Sequence, residues 1–195
     1  MEEQLKVIQD MLEKTRRSVA DNGIFLILWG WLVMVASMGQ YVFVYFNRPE
    51  WIWLNWLVLM VGGGIVSAIL GLRADKIAGV KTFASQAISA LWIACGLAIF
   101  LIAFVALPLG VITMPALNPM IMIILWIGIF VMARIIEWKP LQWSGLVWFA
   151  AAIISMNIPW YYHGWVMAIT LIPGYLIPGY SMRRIYMTEK RGKIR

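Results

Sequence analysis

The sequence predicts an all-α fold, a polytopic bundle of six transmembrane helices, on three observations. Of 195 residues, 63% are apolar and 13% are charged, where a soluble domain carries about twice that share of charge. The apolar residues fall in long runs without Asp, Glu, Lys or Arg, and a run of about 20 spans a bilayer as a helix. The cations are one-sided: if six spans are drawn, all Lys and Arg residues but Arg48 lie on the same side. A transmembrane β-barrel would need alternating segments of about 10 residues, and there are none.

Residues 1–22 read as an amphipathic helix on the membrane surface or in the aqueous phase. Leu5, Ile8, Leu12 and Val19, with Thr15 in the gap, share one helical face. Asp10 with Lys14, and Glu13 with Arg17, stand four apart with the acid first, the favourable order. Asp21-Asn22-Gly23 is then expected to cap or turn the chain.

The transmembrane domain, 23–182, follows. Its first span, 24–46, is too long for a signal-peptide core and is expected to be retained. The second, 51–72, carries Gly63, Ser67 and Gly71 four apart. Such a ridge of small residues lets two helix backbones approach closely. Its partner is another span of this chain, the commoner case, or a second protomer in a homo-oligomer. Residues 73–88 form the largest internal loop, whose second half begins the third span at 89–107. Pro108, Pro115 and Pro119 make 107–119 a loop, apolar enough to rest at the membrane interface. Asn118-Pro119 reads as an N-cap followed by proline in the first turn, opening the fourth span at 119–136. A charged turn at 134–140 leads into the fifth span, 141–158, and an aromatic turn at 159–164 into the sixth, 165–182. The basic tail, 183–195, is expected to be disordered at its end.

The positive-inside rule places both termini in the cytoplasm. The net charge of +7 is thereby a topology signal with some attraction for anionic headgroups, not a nucleic-acid footprint. Trp29, Trp92 and Trp148 stand early in the odd spans, and the even spans end near Arg73, Arg134 and Arg183. The chain can therefore be drawn as three tandem helical hairpins, although interface preferences of Trp and Arg alone generate the same pattern.

Chemistry is scarce. No span carries an acid or base in its central portion, and intramembrane charges are what mark proton relays and ion pathways. The buried polar groups are neutral: Ser37, Gln40, Asn55, Ser67, Ser89, Cys95, Ser155, Asn157 and Thr170. The single cysteine excludes an internal disulfide and Cys-rich metal sites. No catalytic residue, metal site or cofactor motif is read. The one histidine, His163, stands beside Trp160, Tyr161 and Tyr162 with only Glu50 as an acid on that face. An interfacial aromatic belt explains that cluster better than acid–base chemistry.

The segment that stands out is Pro173-Gly174-Tyr175-Leu176-Ile177-Pro178-Gly179-Tyr180, a Pro-Gly-Tyr repeat after five residues. In a helix, Pro173 frees the carbonyl of Ile169 and Pro178 that of Gly174, since proline has no N–H to offer four residues back. In lipid such carbonyls need a neighbouring helix, a hydroxyl or a water. A kinked or unwound segment is expected, with Asn157, Thr170, Tyr175 and Tyr180 as the neutral groups of a candidate ligand or hinge region. A packing kink is the commoner origin of such sequences in membrane helices.

Lys14-Thr15-Arg16-Arg17-Ser18, then Asp21-Asn22-Gly23 and Leu28-Trp29-Gly30-Trp31-Leu32-Val33, resemble the start of small six-span bacterial inner-membrane proteins. The resemblance covers the first span best. It implies a bacterial inner membrane and supplies no activity, substrate or site residues. Two readings of function lead, ahead of a lipid-modifying enzyme, which has least support. One is a non-enzymatic anchoring, sensing or scaffold module that engages a cytoplasmic protein partner or lipid. The other is a permease or channel for a neutral or apolar solute, lined by the broken sixth helix.

Overall fold

The computed structural model describes the backbone of residues 2–78 and 83–192, and the side chains of 23–48, 50–73, 83–185 and 187–188. It is an all-helical bundle, with no strand among the described residues. The helices are α1 (Glu2–Tyr45), α2 (Ile52–Ala78), α3 (Phe83–Phe100), α4 (Met114–Ile136), α5 (Lys139–Asn157), α6 (His163–Leu171) and α7 (Ile177–Gly192). α3 runs on through a π-helical turn, Leu101–Ala106, and α6 joins α7 through another, Ile172–Leu176.

Among the described residues, five helical segments are long and apolar enough to cross a membrane: Gly23–Tyr45, Ile52–Arg73, Phe83–Ala106, Met114–Ile136 and Trp160–Ile185. This is a multi-pass membrane protein by composition and length. The expected span at 141–158, now α5, is not among the five. Gln142, Ser144, Ser155 and Asn157 dilute its apolarity.

Several expected boundaries move. The cap at Asp21-Asn22-Gly23 does not form, because α1 is one helix of 44 residues from Glu2 to Tyr45. Gly23 instead lies where α1 crosses α7: a Cβ there would stand 2.9 Å from the Gly179 carbonyl oxygen. The ion pairs expected within 2–20 lie outside the described side chains. Arg73 to Ala78 is helix, not loop, and residues 79–82 lie outside the described residues. The helix expected to open at Asn118-Pro119 opens earlier, with Thr113 extended as N-cap and Pro115 in the first turn. The helix thus opens five residues sooner, with its proline second rather than first, and Pro119 is buried inside it. The basic tail is helical to Gly192, and 193–195 lie outside the described residues.

The most extensive interfaces are α4 on α5 and α1 on α7. Both join different members of the three predicted hairpins. Nor do interface preferences account for all three tryptophans. Trp148 is fully buried, and Trp92 packs against the core with its indole N–H on Met132 Sδ. The core gathers Met122, Ile129 and Met132 of α4, Leu141 and Trp148 of α5, and Leu171 and Tyr175 beyond them. α2 packs chiefly on α1, and α3 chiefly on α4.

Polarity is inverted relative to a soluble protein. Ser37, Ser144, Ser155, His163 and Thr170 are buried, while large apolar side chains line the surface of every span. Lipid tails are as apolar as Leu, so packing and hydrogen bonds hold such helices together. The α1–α2 seam illustrates this. Trp29 Nε1 donates to Ser67 Oγ at 3.1 Å, Asn55 Nδ2 to the Ala36 carbonyl at 2.9 Å, and Trp56 Nε1 to Gln40 Oε1 at 3.1 Å.

Candidate functional site

The Pro-Gly-Tyr repeat forms the joint between α6 and α7. Its two prolines are five residues apart, and five is the hydrogen-bond period of a π helix. The N–H of Ile177 donates to the carbonyl of Ile172, five residues back. At the same period the partner of the Pro173 carbonyl would be residue 178, a proline, which has no N–H to give. That carbonyl accepts instead from the Ser144 hydroxyl of α5, at 3.1 Å. The hydroxyl also lies 3.3 Å from the Pro140 carbonyl of its own helix, so its one proton is shared between the two. At the other proline, the Ile169 carbonyl accepts from the N–H of Ile172. The expected break is thus a widened helix rather than an unwound one.

Neighbours fill the joint from several directions. Tyr175 is buried between Trp148, at a ring-centroid distance of 5.2 Å, and Trp92, at 6.3 Å. A Cβ on Gly174 would stand 2.5 Å from Trp148 Nε1, and one on Gly179 would stand 2.8 Å from Ile27 Cγ1. Across the interface, a Cβ on Gly30 would stand 2.7 Å from Leu176 Cδ2. These glycines are required by close approach, since any side chain there meets packed atoms. Gly128 similarly lets α4 approach Trp92 and Cys95.

The predicted site residues do not converge. Pro173 is half-buried, whereas Gly174, Tyr175, Pro178 and Gly179 are buried in the joint. Thr170 is buried one turn before it. Tyr180 faces outward, and its hydroxyl accepts from Trp31 Nε1 at 3.1 Å. Asn157 ends α5, exposed, with Nδ2 donating to the Ile153 carbonyl of its own helix at 2.7 Å. Of the predicted ridge on α2, Gly63 meets Leu32 and Trp29, and Ser67 bonds Trp29, but Gly71 faces no atom within 4 Å.

His163 leaves the aromatic belt. Trp160, Tyr161 and Tyr162 are exposed, but the short 3-10 turn they form rotates His163 inward, where it is 1% exposed. Its Nε2 lies 3.2 Å from the Ile158 carbonyl oxygen. A carbonyl only accepts, so Nε2 carries a proton. Among the described residues, the buried Ser37 Oγ, Trp148 Nε1 and His163 Nδ1 have no hydrogen-bond partner. Tyr41 stacks on Trp165 at a ring-centroid distance of 4.8 Å, and its hydroxyl lies beside the backbone of Gly164 and Trp165.

No cluster of His, Cys, Asp or Glu able to hold a metal occurs among the described residues. Ser144 was the residue that sequence reasoning missed, and the five-residue proline spacing was the signal that could have pointed to the π turn it serves. No family model, curated protein or solved structure matches the chain.

Proposed function

We propose that the protein is a non-enzymatic module of the bacterial inner membrane, a six-span bundle that presents helical segments to a cytoplasmic partner. The observation that carries this reading is the unbroken α1. Its 44 residues make a rod of about 66 Å, roughly twice the 30 Å hydrocarbon core of a bilayer. Residues before Gly23 therefore extend the first candidate span without a joint. A helix coupled in this way transmits tilt or rotation between a cytoplasmic partner and the bundle.

α5 serves as the sixth span in this reading. Between Pro140 and Met156 its exposed residues are apolar, Trp143, Leu146, Phe149, Ile153 and Ile154 among them, while Ser144 and Ser155 turn inward and Lys139 and Asn157 stand exposed at its two ends. Six spans put all cations but Arg48 on one side, which the positive-inside rule makes the cytoplasm, with both termini there. The basic end of α7 then lies near anionic headgroups.

The permease reading required a cavity beside the Pro-Gly-Tyr repeat. Packed tryptophan, isoleucine and leucine atoms around Gly174, Gly179 and Leu176 favour a joint over a transport site. Deleting residues 2–20 tests the proposal. The bundle is expected to fold and insert while cross-linked cytoplasmic partners are lost. An unchanged set of partners would overturn it.

A further inference from the structure

A groove of about 400 Å³ runs along the outside of the bundle, with α1 as its floor and α2 and α7 beside it. Ile24, Leu28, Trp31 and Val35 of α1 and Leu70 of α2 line it, and the one charged group in its lining is Arg183 of α7. Arg183 is exposed, so its guanidinium stands at the mouth of the apolar groove, open to an incoming anion. Arg183 has no ion pair among the described residues.

The geometry points to one anionic phospholipid as the occupant. From Ile24 to Val35 the groove extends about 16 Å along α1, close to half of a 30 Å hydrocarbon core. It therefore matches the depth of one leaflet. Its charged end is the end nearest the aqueous extension of α1, because Gly23 packs against the backbone of Arg183. Arg73, also exposed, lies less than one turn beyond Leu70 on α2. An acyl chain lies on the apolar floor, and the headgroup phosphate meets the Arg183 guanidinium, whose planar fork suits a phosphate bidentately; a lipid of net negative charge is preferred because a zwitterionic headgroup brings its own cation to the same phosphate. A hydrogen bond from Trp31 Nε1 to the Tyr180 hydroxyl, at 3.1 Å, joins the floor to α7. A water-soluble solute is disfavoured, because the groove opens toward lipid and Arg183 is its single polar anchor.

Photo-crosslinking of the full chain tests this. A photoreactive residue is placed at Val35, in the groove, or at Leu97, exposed on α3 outside it. Each protein is reconstituted in vesicles of equal phosphatidylglycerol and phosphatidylcholine with identical acyl chains. Lipid adducts are then identified by mass. One cation near a phosphate favours the anionic lipid roughly fivefold. That preference is expected at Val35, with near-equal adducts at Leu97. Arg183→Gln is expected to reduce the Val35 ratio to the Leu97 value, and Arg183→Lys to keep most of it. Equal ratios at the two positions in the unsubstituted background overturn the proposal, whatever the Arg183 variants do. A Val35 ratio unchanged in a folded Arg183→Gln protein overturns it too.

Discussion

The two π turns share one backbone irregularity and differ in everything around it. Ile172–Leu176 buries Gly174, Tyr175 and Leu176. Its orphaned Pro173 carbonyl is met by Ser144, and Trp148 covers its glycine. Leu101–Ala106 buries no residue. It closes α3 at the flank of the bundle, where Leu107 donates to Ile102 and the chain turns through Pro108 and Gly110. A wide turn at a helix end needs no support, since the last carbonyls are unpaired there anyway. In mid-membrane the same turn must have every freed group answered. The inner turn is therefore held by neighbours, and substitutions should weigh far more there.

Gly174→Ala should give the largest effect. The new Cβ meets the indole of a fully buried Trp148, and such overpacking costs about 1–3 kcal/mol. Thermal unfolding in detergent reads the loss. A variant as stable as the parent would show that the joint is loose.

Ser144→Ala should come next, at roughly 1 kcal/mol, for leaving the half-buried Pro173 carbonyl unbonded. Pro178→Ala sharpens the comparison, because it supplies the N–H that proline withholds. In that background Ser144→Ala should cost measurably less, and a double-mutant cycle reports the coupling. Strict additivity would mean that Ser144 does not answer for Pro178.

The smallest effect should lie on the outer flank. A Cβ on Gly96 of α3 meets nothing within 4 Å. Gly96→Ala should leave stability unchanged or raise it by up to about 1 kcal/mol, through helix propensity alone. A large loss there would place a partner on a face that is open in the monomer.

Much of the fold was legible because lipid writes its demands plainly. Long uncharged runs and prolines mark the five candidate spans, and α5 with them, without any knowledge of packing. α5 was expected at 141–158 and forms at Lys139–Asn157, but Gln142, Ser144, Ser155 and Asn157 lower its apolarity below that of the candidate spans. Asp21-Asn22-Gly23 has the composition of a cap, but the same glycine also serves the close crossing with α7, and that need is invisible in one dimension. The Pro-Gly-Tyr break was legible as a break. Its form was not, because the four-residue rule assigned the orphaned carbonyl to Gly174. The five-residue period assigns it to Pro173. Tyr175 and Tyr180 look equivalent in the repeat, but five residues of helix turn one into the core and the other toward Trp31.

Solvent access to Leu176 decides between a joint and a transport site. With Cys95→Ala as background, Leu176→Cys is treated with a membrane-impermeant maleimide in intact cells and in inside-out vesicles. Leu109→Cys, in the exposed α3–α4 turn, serves as the reactive control. Leu176 packs against Gly30 in the core of the joint, so protection from both faces is expected while the control labels from one. Labelling of position 176 from either face would mean that water reaches the π turn, contradicting the sealed joint and reinstating a permease.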